Sequence, residues 1–167
     1  KTSFVGFHPI PLRYGMTIGE LARMFNVERK TKANLIVIEL EDWRRDAWLE
    51  ETGLPWTNPS PNMRNLKQAI LYSGIGLLES ALSVGRGTDT PFELVGAPYI
   101  DDVKLAEELN RAGLPGVGFV PIRFTPTASV HKGQPCGGVY IMLNDRVRCN
   151  VVDVALHIAR PLYRRYP

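Results

Sequence analysis

The sequence predicts an α+β or open α/β fold, one domain over residues 1–167, with a small mixed sheet packed by about five helices. Three observations predict it. Segments with helical spacing of apolar residues and recognisable caps alternate with short runs rich in Val and Ile. The hydrophobic share is 44% over 167 residues, enough to build a core without metal or disulfide staples. No apolar run reaches the roughly 20 residues of a membrane span, and the longest candidate, 69–84, is broken by Tyr72, Ser73, two glycines, Glu79 and Ser83.

Taken in order, Thr17-Ile18-Gly19-Glu20 is a capping box, opening a short helix from Ile18 to Phe25. Leu35 to Leu40 reads as a buried strand. Asp42 is placed to cap a second helix carrying Trp43, Ala47 and Trp48. Glycine and proline dominate from Gly53 to Pro61, which predicts an irregular loop. Asn65 caps a helix through Leu66, Ala69 and Ile70 that Gly74 and Gly76 break or bend. Phe92 to Val95 is a short strand. Asp101 or Asp102 caps a helix with Val103, Leu105, Ala106 and Leu109 inward, ending near Gly113. Val117 to Phe124 and Gly138 to Leu143 read as strands. A final helix runs from Val154 to Tyr163, opened by Asp153 and distorted at its end by Pro161.

The net charge is +3, scattered along the chain apart from Arg29-Lys30-Thr31-Lys32 and Arg164-Arg165. A nucleic-acid binder concentrates such charge on one face, so nucleic acid is not expected as a partner. Cys136 and Cys149 are the two cysteines, and the sequence leaves their pairing open. His8, His131 and His157 show no metal-ligand spacing, so neither a metal nor a cofactor is expected. The chain opens at Lys1 without a charged-then-apolar leader, and reads as a fragment or a processed product.

The candidate chemistry lies between Trp56 and Glu93. In Gly85-Arg86-Gly87-Thr88 two glycines let the backbone approach another body while an arginine projects from the turn. A guanidinium fork suits a carboxylate or phosphate, and the alternative is a turn with a solvated arginine. Glu79 and Glu93 bracket this turn. They are either a carboxylate pair for acid/base work or partners that fix Arg86. Trp56 to Met63 combines an aromatic face with Asn58 and Asn62 on a proline-stiffened backbone, the parts a sugar site uses. A rigid connecting loop with its tryptophan in the core is the other option. Ser83 is a polar contact and no nucleophile elbow appears.

Several segments together resemble a known family. They are Phe4-Val5-Gly6 with Pro9 to Glu20, Trp43-Arg44-Arg45, Thr52 to Trp56, Pro59-Ser60-Pro61-Asn62-Met63, and Gly85-Arg86-Gly87-Thr88 followed by Pro91-Phe92-Glu93. Gly96-Ala97-Pro98, Phe124-Thr125-Pro126-Thr127 and Cys136-Gly137-Gly138-Val139 complete the set. In that order they look like the NamZ family of bacterial exo-β-N-acetylmuramidases, and the likeness spans nearly the whole chain. It implies that residues 1–167 are the C-terminal domain of a two-domain glycosidase, without its Rossmann-like N-terminal half. The implied cleft lies between the halves, with the catalytic glutamate in the N-terminal one, so no catalytic residue is expected here. Glu79 and Glu93 are the candidates this half offers.

The implied reaction is hydrolysis releasing N-acetylmuramic acid from the non-reducing ends of peptidoglycan. Its partners are peptidoglycan fragments or muramic-acid sugars and the Rossmann-like domain of the same protein. The implied location is the periplasm or the exterior. The resemblance carries Asn62, Arg86, Thr88 and Glu79 over as substrate-binding residues, with Trp56 and Ser83 as further contacts. Arg86 would receive the lactyl carboxylate of muramic acid or order the glutamates around it. Where the family often has Glu-Gly-Thr-Asn, this chain has Glu79-Ser80-Ala81-Leu82, which removes an asparagine contact. A reading of another class is a non-catalytic carbohydrate- or cell-wall-binding module.

Overall fold

The computed structural model describes residues 6, 8–11 and 15–166, which form parts of two compact units, Lys1–Leu54 and Pro55–Pro167. Phe4-Val5 and Leu12-Arg13-Tyr14 of the motifs above lie outside the described residues. The described chain holds four α-helices, two short 3-10 turns and one three-stranded sheet, the α+β alternative of the two arrangements the sequence leaves open. None of these helices is long and apolar enough to cross a membrane.

In the first unit, α1 (Ile18–Glu28) starts at the expected capping box, with Thr17 Oγ1 accepting from Glu20 N at 3.1 Å and Glu20 returning the bond to Thr17 N at 2.8 Å. Arg45 adds a second brace by donating to Glu20. Together they hold the Glu20 carboxyl at about 2, with the Arg45 hydrogen bond the largest cause. The side-chain amide of Asn26 bonds both the N–H and the C=O of Ala33, turning the chain back along α1. Leu35 to Leu40 then follows as extended chain and is not the buried strand expected: it joins no strand of the described residues, and Ile36, Ile38 and Leu40 are 80%, 90% and 72% exposed. An extended segment becomes a buried strand only when a neighbour takes up its amides and carbonyls and covers its faces. The helix expected after Asp42 is also absent. Asp42 takes a left-handed φ of 53° in place of the extended conformation a capping residue adopts, and only the 3-10 turn Leu49–Thr52 forms.

In the second unit, α2 (Leu66–Ile75) is capped by Asn65 as expected and passes at Gly76 into the 3-10 turn Gly76–Leu78. The sheet comprises β1 (Leu94–Ala97), β2 (Val117–Phe124) and β3 (Cys136–Leu143), in the order β1-β3-β2 and antiparallel throughout. The hairpin register runs from Val117 opposite Leu143 to Phe124 opposite Cys136. The first strand starts two residues later than predicted, because Phe92 adopts φ 65° and its N–H bonds Val84 O.

The helix α3 (Asp102–Arg111) packs on β2 and β3, with Asp102, Leu105, Ala106 and Leu109 on its buried face. Val103 is 49% exposed, against the expectation, because the helical period hands its inward place to Asp102. Asp102 is stabilised there by Arg123 at 3.3 Å. The last helix, α4 (Val151–Arg165), is capped by Asn150 rather than opened by Asp153, and Pro161 sits inside it without ending it. Leu71, Ile75, Val95, Leu105, Val139, Ile141 and Ile158 form the solvent-free centre of this unit.

Helix α2 lies so close to α4 that a Cβ on Gly74 would stand 2.1 Å from the carbonyl oxygen of Val151. Gly74→Ala therefore forces the helices apart. It should destabilise the second unit by about 1–3 kcal/mol, read as a lower urea midpoint at unchanged slope.

Candidate functional site

The Gly-Arg-Gly turn is built by its own backbone and docked by a neighbouring loop. Gly85 and Gly87 take φ of 77° and 78°, which other residues rarely adopt. Thr88 Oγ1 donates to Gly85 O at 2.6 Å and accepts from Thr90 N at 3.2 Å, so its hydroxyl closes the turn. A Cβ on Gly87 would meet Thr127 Oγ1 at 2.4 Å and Ala128 N at 2.6 Å. Thr127 Oγ1 in turn donates to Gly87 O at 2.7 Å. Ser83 is buried just before the turn: its backbone exchanges both hydrogen bonds with Gly96, and its Oγ accepts from Gly85 N at 3.4 Å.

Of the two partners left open for Arg86, the fold selects Glu79. The guanidinium grips it through two nitrogens, Nε to Oε1 and Nη2 to Oε2, the latter at 3.0 Å. Both side chains keep somewhat over a quarter of their surface, 27% and 28%. The Glu79 hydrogen bonds outweigh burial and raise the Arg86 pKa above its ordinary value. Arg86 also stands 5.0 Å over the ring of Phe92, which Tyr72 contacts edge-on from another side. A bulky residue with a left-handed φ costs about 1–3 kcal/mol, and these contacts hold Phe92 there.

Glu93 turns away into a cluster of its own. Its carboxylate, with a side chain 5% exposed, accepts from Lys67 Nζ at 2.7 Å, Tyr140 Oη at 2.8 Å and Gln68 Nε2 at 3.0 Å. Lys67 Nζ also donates to Tyr140 Oη at 2.7 Å. Burial pushes the Glu93 carboxyl up, but the three donors outweigh it and hold it below the usual carboxylate range. Burial likewise pulls the Lys67 ammonium down, and Glu93 and Tyr140 reverse this to a raised value. Lys67, Gln68 and Tyr140 were not singled out from sequence. One signal was available for Gln68: it shares the helical spacing of Leu71 and Ile75, so a polar side chain falls on the buried face.

The Trp56–Met63 loop is joined to both clusters. Trp56 is half-buried and its indole N–H donates to Met63 O at 3.2 Å, so it is neither a core tryptophan nor a free platform. Asn62 is half-buried, its backbone N–H bonded to Ser60 Oγ at 3.3 Å. Arg64 N donates to Gln68 Oε1 at 2.7 Å, tying the loop to the Glu93 cluster. The Arg64 guanidinium lies 3.5 Å from Asp89, tying it to the Gly-Arg-Gly turn. Two hollows lie elsewhere. One, about 580 Å³, is lined by Asp101, Asp102, Arg123 and Cys136 among others; another, about 520 Å³, lies beside α1 in the first unit. Cys136 and Cys149 are both buried and unpaired, and burial raises both thiols.

The second unit is thus an α+β unit whose polar residues gather on loops braced by paired charges. Residues 70–167 match the family described as "Exo-beta-N-acetylmuramidase NamZ, C-terminal", and residues 1–67 match "Exo-beta-N-acetylmuramidase NamZ, N-terminal". The chain belongs to the NamZ family. It is 45% identical over 166 residues to the peptidoglycan beta-N-acetylmuramidase NamZ of Bacillus subtilis (strain 168), an alignment covering 99% of the chain and 40% of that protein.

Two DUF1343 family proteins of Bacteroides fragilis NCTC 9343 with solved crystal structures are also similar. The first matches with a TM-score of 0.88 at 34% identity, over 99% of this chain and 44% of its own. The second matches with a TM-score of 0.63 at 31% identity, over 83% and 36%. The chain thus spans about two fifths of the length of the curated relative it matches.

Because Glu93 titrates lower in the folded chain than in the unfolded one, its contribution to stability is complete above about pH 5 and is lost as pH falls through the folded value. Glu93→Gln should lower stability by about 2 kcal/mol at neutral pH. The melting temperatures of variant and parent should converge on acidification, as a pH series of thermal melts would show.

Proposed function

We propose that this chain is part of a peptidoglycan-directed exo-β-N-acetylmuramidase, and that its second unit supplies one wall of the sugar-binding cleft. The observation that carries this is the 45% identity to a peptidoglycan beta-N-acetylmuramidase sustained over 99% of the chain. The reaction is hydrolysis of the bond that joins N-acetylmuramic acid to the rest of a glycan at its non-reducing end. With such a substrate, the location we propose is the periplasm or the exterior of the cell.

Asn62, Trp56, Arg86, Thr88 and Glu79 are the residues of this wall. Glu79 and Arg86 act as one unit, a carboxylate and a guanidinium held at a fixed angle. Hydroxyls and acetamide groups fit such a pair, since one half accepts and the other donates. Thr88 and Ser83 shape the turn that carries Arg86.

Both carboxylates of the sequence-level pair are engaged, Glu79 by Arg86 and Glu93 by Lys67, Gln68 and Tyr140. An acid/base pair needs groups free to exchange protons with substrate. That favours a sugar-binding role for this chain in isolation, with the catalytic glutamate supplied by the remainder of a full-length protein.

Assayed on a chromogenic muramic-acid glycoside, the 167-residue chain alone should give no hydrolysis and a protein of full family length should give turnover. Hydrolysis by the chain alone overturns the assignment of catalysis elsewhere. Arg86→Ala in the full-length protein should lower kcat/KM about tenfold or more. A fall in melting temperature with unchanged kcat/KM would reduce Arg86 to a fastener of the turn.

A further inference from the structure

We propose that Lys67, presented by Glu93 and Tyr140, is a sugar-contacting residue that donates to an uncharged oxygen, and that this wall reads the hydroxyl and acetamide groups common to N-acetylhexosamines rather than the lactyl carboxylate. The inference rests on the muramidase reading above and specifies what that wall selects.

The first observation is charge balance. The Trp56–Glu93 segment holds three cations, and each faces a carboxylate: Arg86 faces Glu79, Lys67 faces Glu93 and Arg64 faces Asp89. A ligand carboxylate arriving there meets cations already neutralised, and it would be repelled by the carboxylates that neutralise them. An uncharged acceptor meets no such repulsion. Arg86 in particular commits its Nε–Nη2 edge to Glu79, so a second carboxylate could reach only the Nη1–Nη2 edge of a guanidinium already neutralised.

The second observation is the fixed direction of Lys67. An ammonium has three donor hydrogens. Two are committed, to Glu93 Oε2 and to Tyr140 Oη, each at 2.7 Å. The nitrogen also lies 4.4 Å from the centre of the Tyr140 ring. With 28% of its side chain exposed, Lys67 keeps its third hydrogen for a ligand. A lysine free in solvent loses much rotamer freedom on binding, whereas this one is already held, so its hydrogen bond is made at little entropic cost.

Glu93 is the positioning residue. It is enclosed, out of reach of a sugar, and it fixes Lys67, Tyr140 and Gln68 together. Gln68 passes the constraint on to Arg64 and so to the loop that carries Asn62.

The test is a titration of the ¹⁵N-labelled chain with N-acetylglucosamine and with N-acetylmuramic acid, followed by amide shifts. Both sugars should shift amides around Lys67 and Asn62, with affinities within about twofold of each other. Lys67→Met alone leaves Glu93 buried without its cation and can disturb the fold. The decisive variant is therefore Lys67→Met with Glu93→Gln, which removes both charges and keeps a carbonyl acceptor for the neighbouring donors. It should retain a dispersed spectrum and bind both sugars roughly tenfold more weakly.

Two outcomes overturn the inference and leave the muramidase reading standing. One is muramic acid binding tighter by about tenfold or more, which would make the carboxylate the selected group. The other is unchanged binding by the double variant. Absence of shifts with either sugar overturns the inference and the assignment of this wall together, while hydrolysis by the full-length protein is read separately.

Discussion

The second unit depends on one buried carboxylate. A charge taken out of water is destabilising unless donors replace its hydration, and Glu93 has three, from α2 and β3. Those elements are held to one mutual position because all three donors must reach two oxygens at once. Any sliding of α2 along the sheet would leave part of the carboxylate unsatisfied. Among the described residues no buried side-chain nitrogen or oxygen lacks a partner, so the unit meets this constraint without remainder.

From that fixed point the rest of the candidate site follows by local chemistry. Phe92, next to Glu93, is driven into a left-handed conformation and gripped by Tyr72 and Arg86. Its N–H reaches back to Val84, which sets where the Gly-Arg-Gly turn begins. The turn needs its glycines for two separate reasons: positive φ at both, and at Gly87 the close approach of the Thr127 loop. Arg86 then projects to Glu79, and Ser129 from that loop reaches the same carboxylate at 3.5 Å. Of the readings the motif left open, a solvated arginine or one fixed by a glutamate, the structure has the second: a braced ion pair on a turn held by its neighbours.

The first unit follows other rules. Its helix is stabilised at its ends and along its flank by polar side chains, Thr17, Glu20, Arg45 and Asn26, and contains no buried residue. The apolar run from Leu35 to Leu40 carries the composition of a sheet interior while its isoleucines stand in water. Composition states what a segment favours; burial requires a partner.

The sequence by itself determined a mixed α and β class, the helix starts at Thr17, Asn65 and Asp101 or Asp102, the existence of the strands that became β2 and β3 and the family resemblance, because caps, periodicity and motifs are local in the chain; that β2 and β3 pair was decided by the fold. It also marked Glu79, Arg86 and Glu93 as the charges that matter. Only the tertiary structure decided how those charges pair. Tyr140 lies 47 residues from Glu93 and 73 from Lys67, separations at which no spacing rule operates. Arg86 pairs with Glu79, while Glu93 turns to Lys67, Gln68 and Tyr140. Local pattern fixes which residues want to be helix, strand or turn, whereas the satisfaction of a buried charge is settled only when distant elements pack and water leaves.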